Sequence, residues 1–125
     1  MDKTVKFEII TGINEGYFHN NEVVNGLEML GVLWQEIAIK EYEESGIYVS
    51  AVICSSKTVY SGMWGCPKGG EDTIIISGTL NKEYTSDIEG FKTSVLRLAK
   101  EVKEKLKQES LTCDFTEVEL FYLKD

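Results

Sequence analysis

Cys66 and Lys68 stand two residues apart in the stretch SGMWGCPKGGED, residues 61–72, which gathers four glycines, the chain's only proline and one of its two tryptophans. A loop thiol beside a cation has its thiolate favoured, the condition for nucleophilic or redox work. A thioredoxin-type pair would need a second cysteine three residues on, where Gly69 stands. Nucleophilic catalysis needs a base, and the one histidine, His19, would have to be brought in by the fold. Cys66 and His19 are therefore weak catalytic candidates. Their plainer readings are a turn cysteine and a solvated or capping histidine among asparagines. Gly65 and Gly70 match the glycine spacing of a phosphate loop, but Glu71 and Asp72 follow in place of lysine and a hydroxyl residue and would repel phosphate. Turn chemistry explains most of the stretch as a long hairpin connection, with proline fixing its own backbone angle and glycines allowing positive φ.

Four aromatic or apolar residues lie where a polar loop would not demand them. Tyr17 and Phe18 precede His19 in the polar segment EGYFHNN, and Met63 and Trp64 sit beside glycines. Each pair could contact a ligand or a partner; a hydrophobic staple or a strand end packed on a sheet would explain them equally. The acids Glu36, Glu41, Glu43 and Glu44 make one helix end strongly negative, which is ordinarily a solvated face and could also meet a basic protein.

The bulk properties narrow the classes. At 125 residues, with 42% hydrophobic and 27% charged residues, the chain reads as one globular domain, 1–125, with a core of ordinary size. A net charge of −8 argues against direct binding to nucleic acid or an anionic membrane. Three widely spaced cysteines suit reduced thiols and a cytoplasmic setting, no spacing suits a metal site, and no motif asks for a cofactor.

Period-two alternation of Val5, Phe7 and Ile9 with Lys6 and Glu8 predicts a strand over 4–12. Asn21 is placed to cap a helix to about residue 44, with Leu27, Leu30, Trp34, Ile37 and Ala38 on its apolar face and Gly46 ending it. Gly26 and Gly31 inside it suggest close approach to a sheet. The run IYVSAVICSS, apolar on both alternating sets, predicts a strand buried on both faces, continuing or splitting through KTVYSGMWG; DTIIISGTL is the next strand. Ser86 and Glu89 form a capping box for a second helix, about 87–109. The last segment, LTCDFTEVELFYL, is strand-like, with its apolar phase switching between Phe115 and Val118 as a bulge would make it.

The order β-α-β-β-α-β, with a long or split second strand, is that of a ferredoxin-like α+β two-layer sandwich: a four- to five-stranded, mainly antiparallel sheet with two helices on one face. Two helices leave the other sheet face open. The apolar central and last strands then imply a homo-oligomer, a dimer first, or an occupied cleft. The leading functional reading is a small cytosolic oligomer that binds or sequesters a small molecule, with Tyr17, Phe18, His19, Met63 and Trp64 near the uncovered face. The alternative is an acidic interaction module or inhibitor, for instance one blocking a nucleic-acid-binding enzyme. An enzyme of the dimeric α+β-barrel kind ranks third, because no acid, base and nucleophile share a diagnostic spacing.

Overall fold

In the computed structural model, which describes residues 2–13 and 26–125, strands β1 (Asp2–Gly12), β2 (Val52–Thr58), β3 (Glu71–Thr79) and β4 (Leu111–Leu120) form one sheet. Its order is β2-β3-β1-β4 with every neighbouring pair antiparallel, and helices α1 (Gly26–Ser45) and α2 (Ile88–Lys105) supply the second layer. This is the ferredoxin-like α+β sandwich expected from element order. Phe7, Ile9, Ile74 and Ile76 alternate inward from the two central strands onto Leu30, Trp34, Val95 and Leu98 of the helices, all buried. Phe7 lies between Trp34 (centroids 6.2 Å apart, stacked) and Phe91 (6.0 Å, tilted). The buried Trp34 indole meets its polar requirement by donating to the Val49 carbonyl at 2.9 Å.

Between the helices the Glu41 carboxylate is buried, and it accepts from Arg97 at 2.6 Å and from the Ser94 hydroxyl at 2.8 Å. Chiefly because of the Arg97 hydrogen bonds, its carboxyl is held below the ordinary glutamate value, against the opposing effect of burial. At the C-terminal tail, Tyr84 and Tyr122 share a hydrogen bond between phenol oxygens at 3.0 Å, and Lys124 pairs with Glu83.

Several expectations change in detail. The cap of α2 is Asp87, whose carboxylate accepts from Gly90 N–H at 2.9 Å; Ser86 does not take the role. The residues around Asn21 lie outside those described. Gly46 does end α1, at φ 80° with its N–H on the Tyr42 carbonyl. Gly26 and Gly31 have open space where a Cβ would stand; the close approach is at Gly78, where a Cβ would meet the Ser50 carbonyl and the Phe7 ring. The strand expected to be buried on both faces is buried on one: Ile47 and Val49 are inside, whereas Tyr48, Val52 and Cys54 are exposed. No bulge interrupts β4, which pairs continuously with β1 from Asp2↔Leu120 to Thr11↔Leu111. Its change of apolar phase arises because Leu111, Cys113 and Phe115 take the helix side, while Val118 opposes Thr4 on the other face.

The open sheet face is also more polar than expected. By register it carries Lys6, Glu8, Ser56, Thr58, Thr73, Ser77, Thr112, Asp114 and Thr116, with Ile10, Val52, Cys54 and Ile75 forming an apolar strip across its middle and Val118 and Leu120 adding apolar positions at the end of β4. The apolar character expected of the central and last strands is thus confined to these positions, on a face that is polar at most others.

Candidate functional site

β2 and β3 pair from Val52↔Ser77 to Thr58↔Glu71, so the twelve residues 59–70 form the connection at one end of the sheet. On the open face of that end the hydroxyls of Ser56 and Thr58 both reach Thr73 Oγ1, at 2.7 and 3.0 Å. One position beyond Thr73 on the same face is Glu71, and two residues past Thr58 is Tyr60, whose phenol lies close enough to the Glu71 carboxylate to feel its charge. Partial desolvation raises the Tyr60 phenol above its ordinary value, and the neighbouring Glu71 carboxylate and Cys66 add to the effect. On the opposite side of the same strand ends, Asp72 is taken by Lys57 at 2.7 Å.

The connection is stitched from within. Ser61 caps a 3₁₀ turn, Gly62–Trp64, by accepting from Met63 N–H at 3.1 Å, and Gly65 closes it in the left-handed region at φ 97°. The Cys66 sulfur accepts from Tyr60 N–H at 3.5 Å and lies 3.4 Å from the Pro67 carbonyl. Gly70, at φ 99°, has no room for a Cβ, which would stand 2.8 Å from Val59 Cγ2. Cys66 thus takes part in holding the turn.

Of the residues singled out from sequence, Tyr17, Phe18 and His19 lie outside the described residues. Met63 and Trp64 are the most exposed large apolar residues of this end, at 91% and 79%. Tyr60 and Glu71 were not singled out, although the hairpin was expected. Pairing its two arms with a Gly-rich connection brings the tyrosine of KTVYSG toward the acids that open β3, and that was the signal available. Among the described residues no group of three or more His, Cys, Asp or Glu stands together as a metal site.

A concavity of about 800 Å³ lies at the opposite end of the sheet, among Tyr42, Tyr48, Tyr84, Phe91 and Asn81. None of its lining residues carries a formal charge at neutral pH, so a charged ligand would meet only aromatic faces, hydroxyls and an amide there. The hairpin end combines a carboxylate, a neighbouring phenol and exposed aromatic surface, and is the candidate that offers a formal charge to a cationic ligand. No helix among the described residues is long and apolar enough to cross a membrane.

Comparison with known proteins agrees with the fold and supplies a family. The SAM lyase family matches residues 2–124. A phage SAM lyase in complex with S-methyl-5′-thioadenosine superimposes with a TM-score of 0.59 at 24% identity, covering 91% of this chain and 81% of that one. The phage SAM lyase in its apo state gives 0.58 at 23% identity, over 92% and 81% of the two chains. A sequence search of curated proteins returns no relative. On the family match, which spans nearly the whole length, this chain belongs to the SAM lyase family.

Proposed function

We propose that this member of the SAM lyase family binds S-adenosylmethionine at the Tyr60–Glu71 end of the β2–β3 hairpin and cleaves it to S-methyl-5′-thioadenosine. The family match over residues 2–124 carries the reading, and the bound thioadenosine of the phage lyase supports the product. Enzyme, ranked last from sequence, thereby becomes the first reading.

The absence of a recognisable acid, base and nucleophile in the sequence is compatible with this chemistry. The substrate's sulfur is already a positively charged leaving group, and its own carboxylate can reach Cγ to close a lactone. The S–Cγ bond breaks, its electron pair stays on sulfur, and a neutral thioether departs; no water adds and no proton need move. Opposite charges are neutralised in this step, so a site that excludes water and fixes the reacting chain in a bent conformation accelerates it. In this reading Glu71 accepts from the substrate's α-ammonium, leaving the substrate's carboxylate free to attack. The Tyr60 hydroxyl holds Glu71 in place and is a positioning group.

The test is incubation of the purified protein with S-adenosylmethionine and chromatographic detection of S-methyl-5′-thioadenosine. Formation at a rate above the spontaneous background, abolished in Glu71→Gln, supports the assignment. Cleavage unchanged in Glu71→Gln removes the hairpin end as the site.

Self-association belongs to the same reading, with a homodimer as the first expectation. Its support is the exposed apolar surface of Val52 on the open face and of Phe121 and Leu123 in the tail, at 63%, 61% and 89%. Three cysteines without a disulfide among the described residues support a reducing, cytoplasmic setting.

A further inference from the structure

We propose that the Trp64 indole is the stacking face for the adenine ring of the substrate, and so the residue that makes the site select an adenosyl sulfonium over a smaller one. The inference rests on the lyase reading above and adds the half of the ligand that Glu71 does not address. Three observations carry it. The backbone of the 3₁₀ turn is satisfied internally: Trp64 N–H donates to Ser61 O at 2.9 Å, Gly65 N–H to Gly62 O at 3.1 Å, and Tyr60 N–H to Cys66 Sγ at 3.5 Å. That closure makes a loop of residues 60–66 in which Trp64 is held near Tyr60 while its ring remains 79% exposed.

Nothing in such a turn requires a tryptophan, since serine, glycine and proline meet its backbone needs. A large indole held outward on a closed loop is surface reserved for a contact. Of the neighbouring groups, Asp72 is engaged with Lys57, Cys66 with the loop itself, and the Tyr60 phenol stands by the Glu71 carboxylate. Trp64 is the most exposed of the described aromatics at this end. A substrate whose charged amino-acid end sits on Glu71 extends by a nucleoside, and its far end is a neutral, planar purine. Purine on indole is the matching chemistry, and base–aromatic stacking of this kind corresponds to about 10- to 100-fold in affinity.

The experiment is calorimetric titration of S-methyl-5′-thioadenosine into the wild type, Trp64→Phe and Trp64→Ala, with turnover of S-adenosylmethionine measured in parallel. Because Trp64 is exposed, both variants are expected to fold; the near-ultraviolet signal of the buried Trp34 checks this. The expected result is a loss of about 10- to 100-fold for Trp64→Ala, near-retention in Trp64→Phe, and a raised KM with little change in kcat. Equal affinity of Trp64→Ala and wild type for the thioadenosine overturns the stacking role while leaving the lyase reading intact. A wild type that neither binds the thioadenosine nor cleaves the substrate removes both. If the Trp64 emission shifts with protein concentration alone, and Trp64→Ala sediments lighter than wild type, the ring belongs to an interface between copies and the proposal falls.

Discussion

The phenol of Tyr60 stands beside the carboxylate of Glu71 at the end of the β2–β3 hairpin, close enough to feel its charge, bringing together residues eleven apart in sequence whose strands are linked by a glycine-rich turn. A carboxylate placed on a strand end in this way meets a cationic substrate without first having to be ordered. Removing only the phenol oxygen, in Tyr60→Phe, is expected to lower kcat/KM by about tenfold, the scale of one hydrogen bond. Glu71→Gln, which removes the charge itself, is expected to lower it by about 10²- to 10³-fold. Steady-state kinetics on the two variants gives the ordering, and a Tyr60→Phe loss larger than that of Glu71→Gln would reverse the roles assigned here.

The Glu41–Arg97 pair between the helices makes stability depend on pH. The Glu41 pKa is depressed in the folded chain, so its contribution is fully present above the ordinary glutamate value near 4.5 and is lost as pH falls through the lower folded value. Glu41→Gln is expected to cost about 1–3 kcal/mol at pH 7, since a buried charge-assisted hydrogen-bond set is broken. The difference from wild type should shrink in denaturant titrations repeated below pH 4. A difference independent of pH would assign Glu41 to packing alone.

Thiol reactivity should rank the cysteines by environment. Half-buried Cys113 is pushed up to about 11, first by desolvation and then by the charge of Asp114, so little thiolate exists at pH 8. Cys54 lies exposed on the open face. Labelling followed by peptide mass spectrometry is expected to modify Cys54 well before Cys113, whose sulfur is half-buried and seldom in the thiolate form. Equal rates would contradict the placement of β4.

Helix α2 is capped by Asp87. Asp87→Ala is therefore expected to lower stability by about 1 kcal/mol, and Ser86→Ala by less than about 0.5 kcal/mol. Thermal unfolding of the two variants separates the caps, and the reverse order would restore Ser86 to that role.

The architecture was legible because β-α-β-β-α-β order and apolar periodicity depend on local pattern: Val5, Phe7 and Ile9 mark one strand face, and Phe91, Val95, Leu98 and Val102 mark one helix face. What misled was composition without register. IYVSAVICSS is apolar on both sets, but its outer residues Val52 and Cys54 oppose Ser77 and Ile75 on a face that is polar over most of its area. The capping box was displaced by one residue because Ser86 and Asp87 are both competent caps and only backbone geometry chooses between them. The site was the least legible part. Glu71 read as a residue that repels phosphate, which is the same property that suits a cation, and its tyrosine partner lies on the other arm of the hairpin. A reaction whose nucleophile belongs to the substrate also leaves little catalytic signature in the chain.

Cleavage of S-adenosylmethionine in ¹⁸O-labelled water, with mass analysis of both products, tests lyase action at this hairpin most directly. The expected result is stoichiometric S-methyl-5′-thioadenosine and a four-carbon product whose Cγ-bonded oxygen is unlabelled, formed by the wild type and not by Glu71→Gln. Label at that oxygen would show that water attacks Cγ, and failure of the wild type to release the thioadenosine would contradict the assignment altogether.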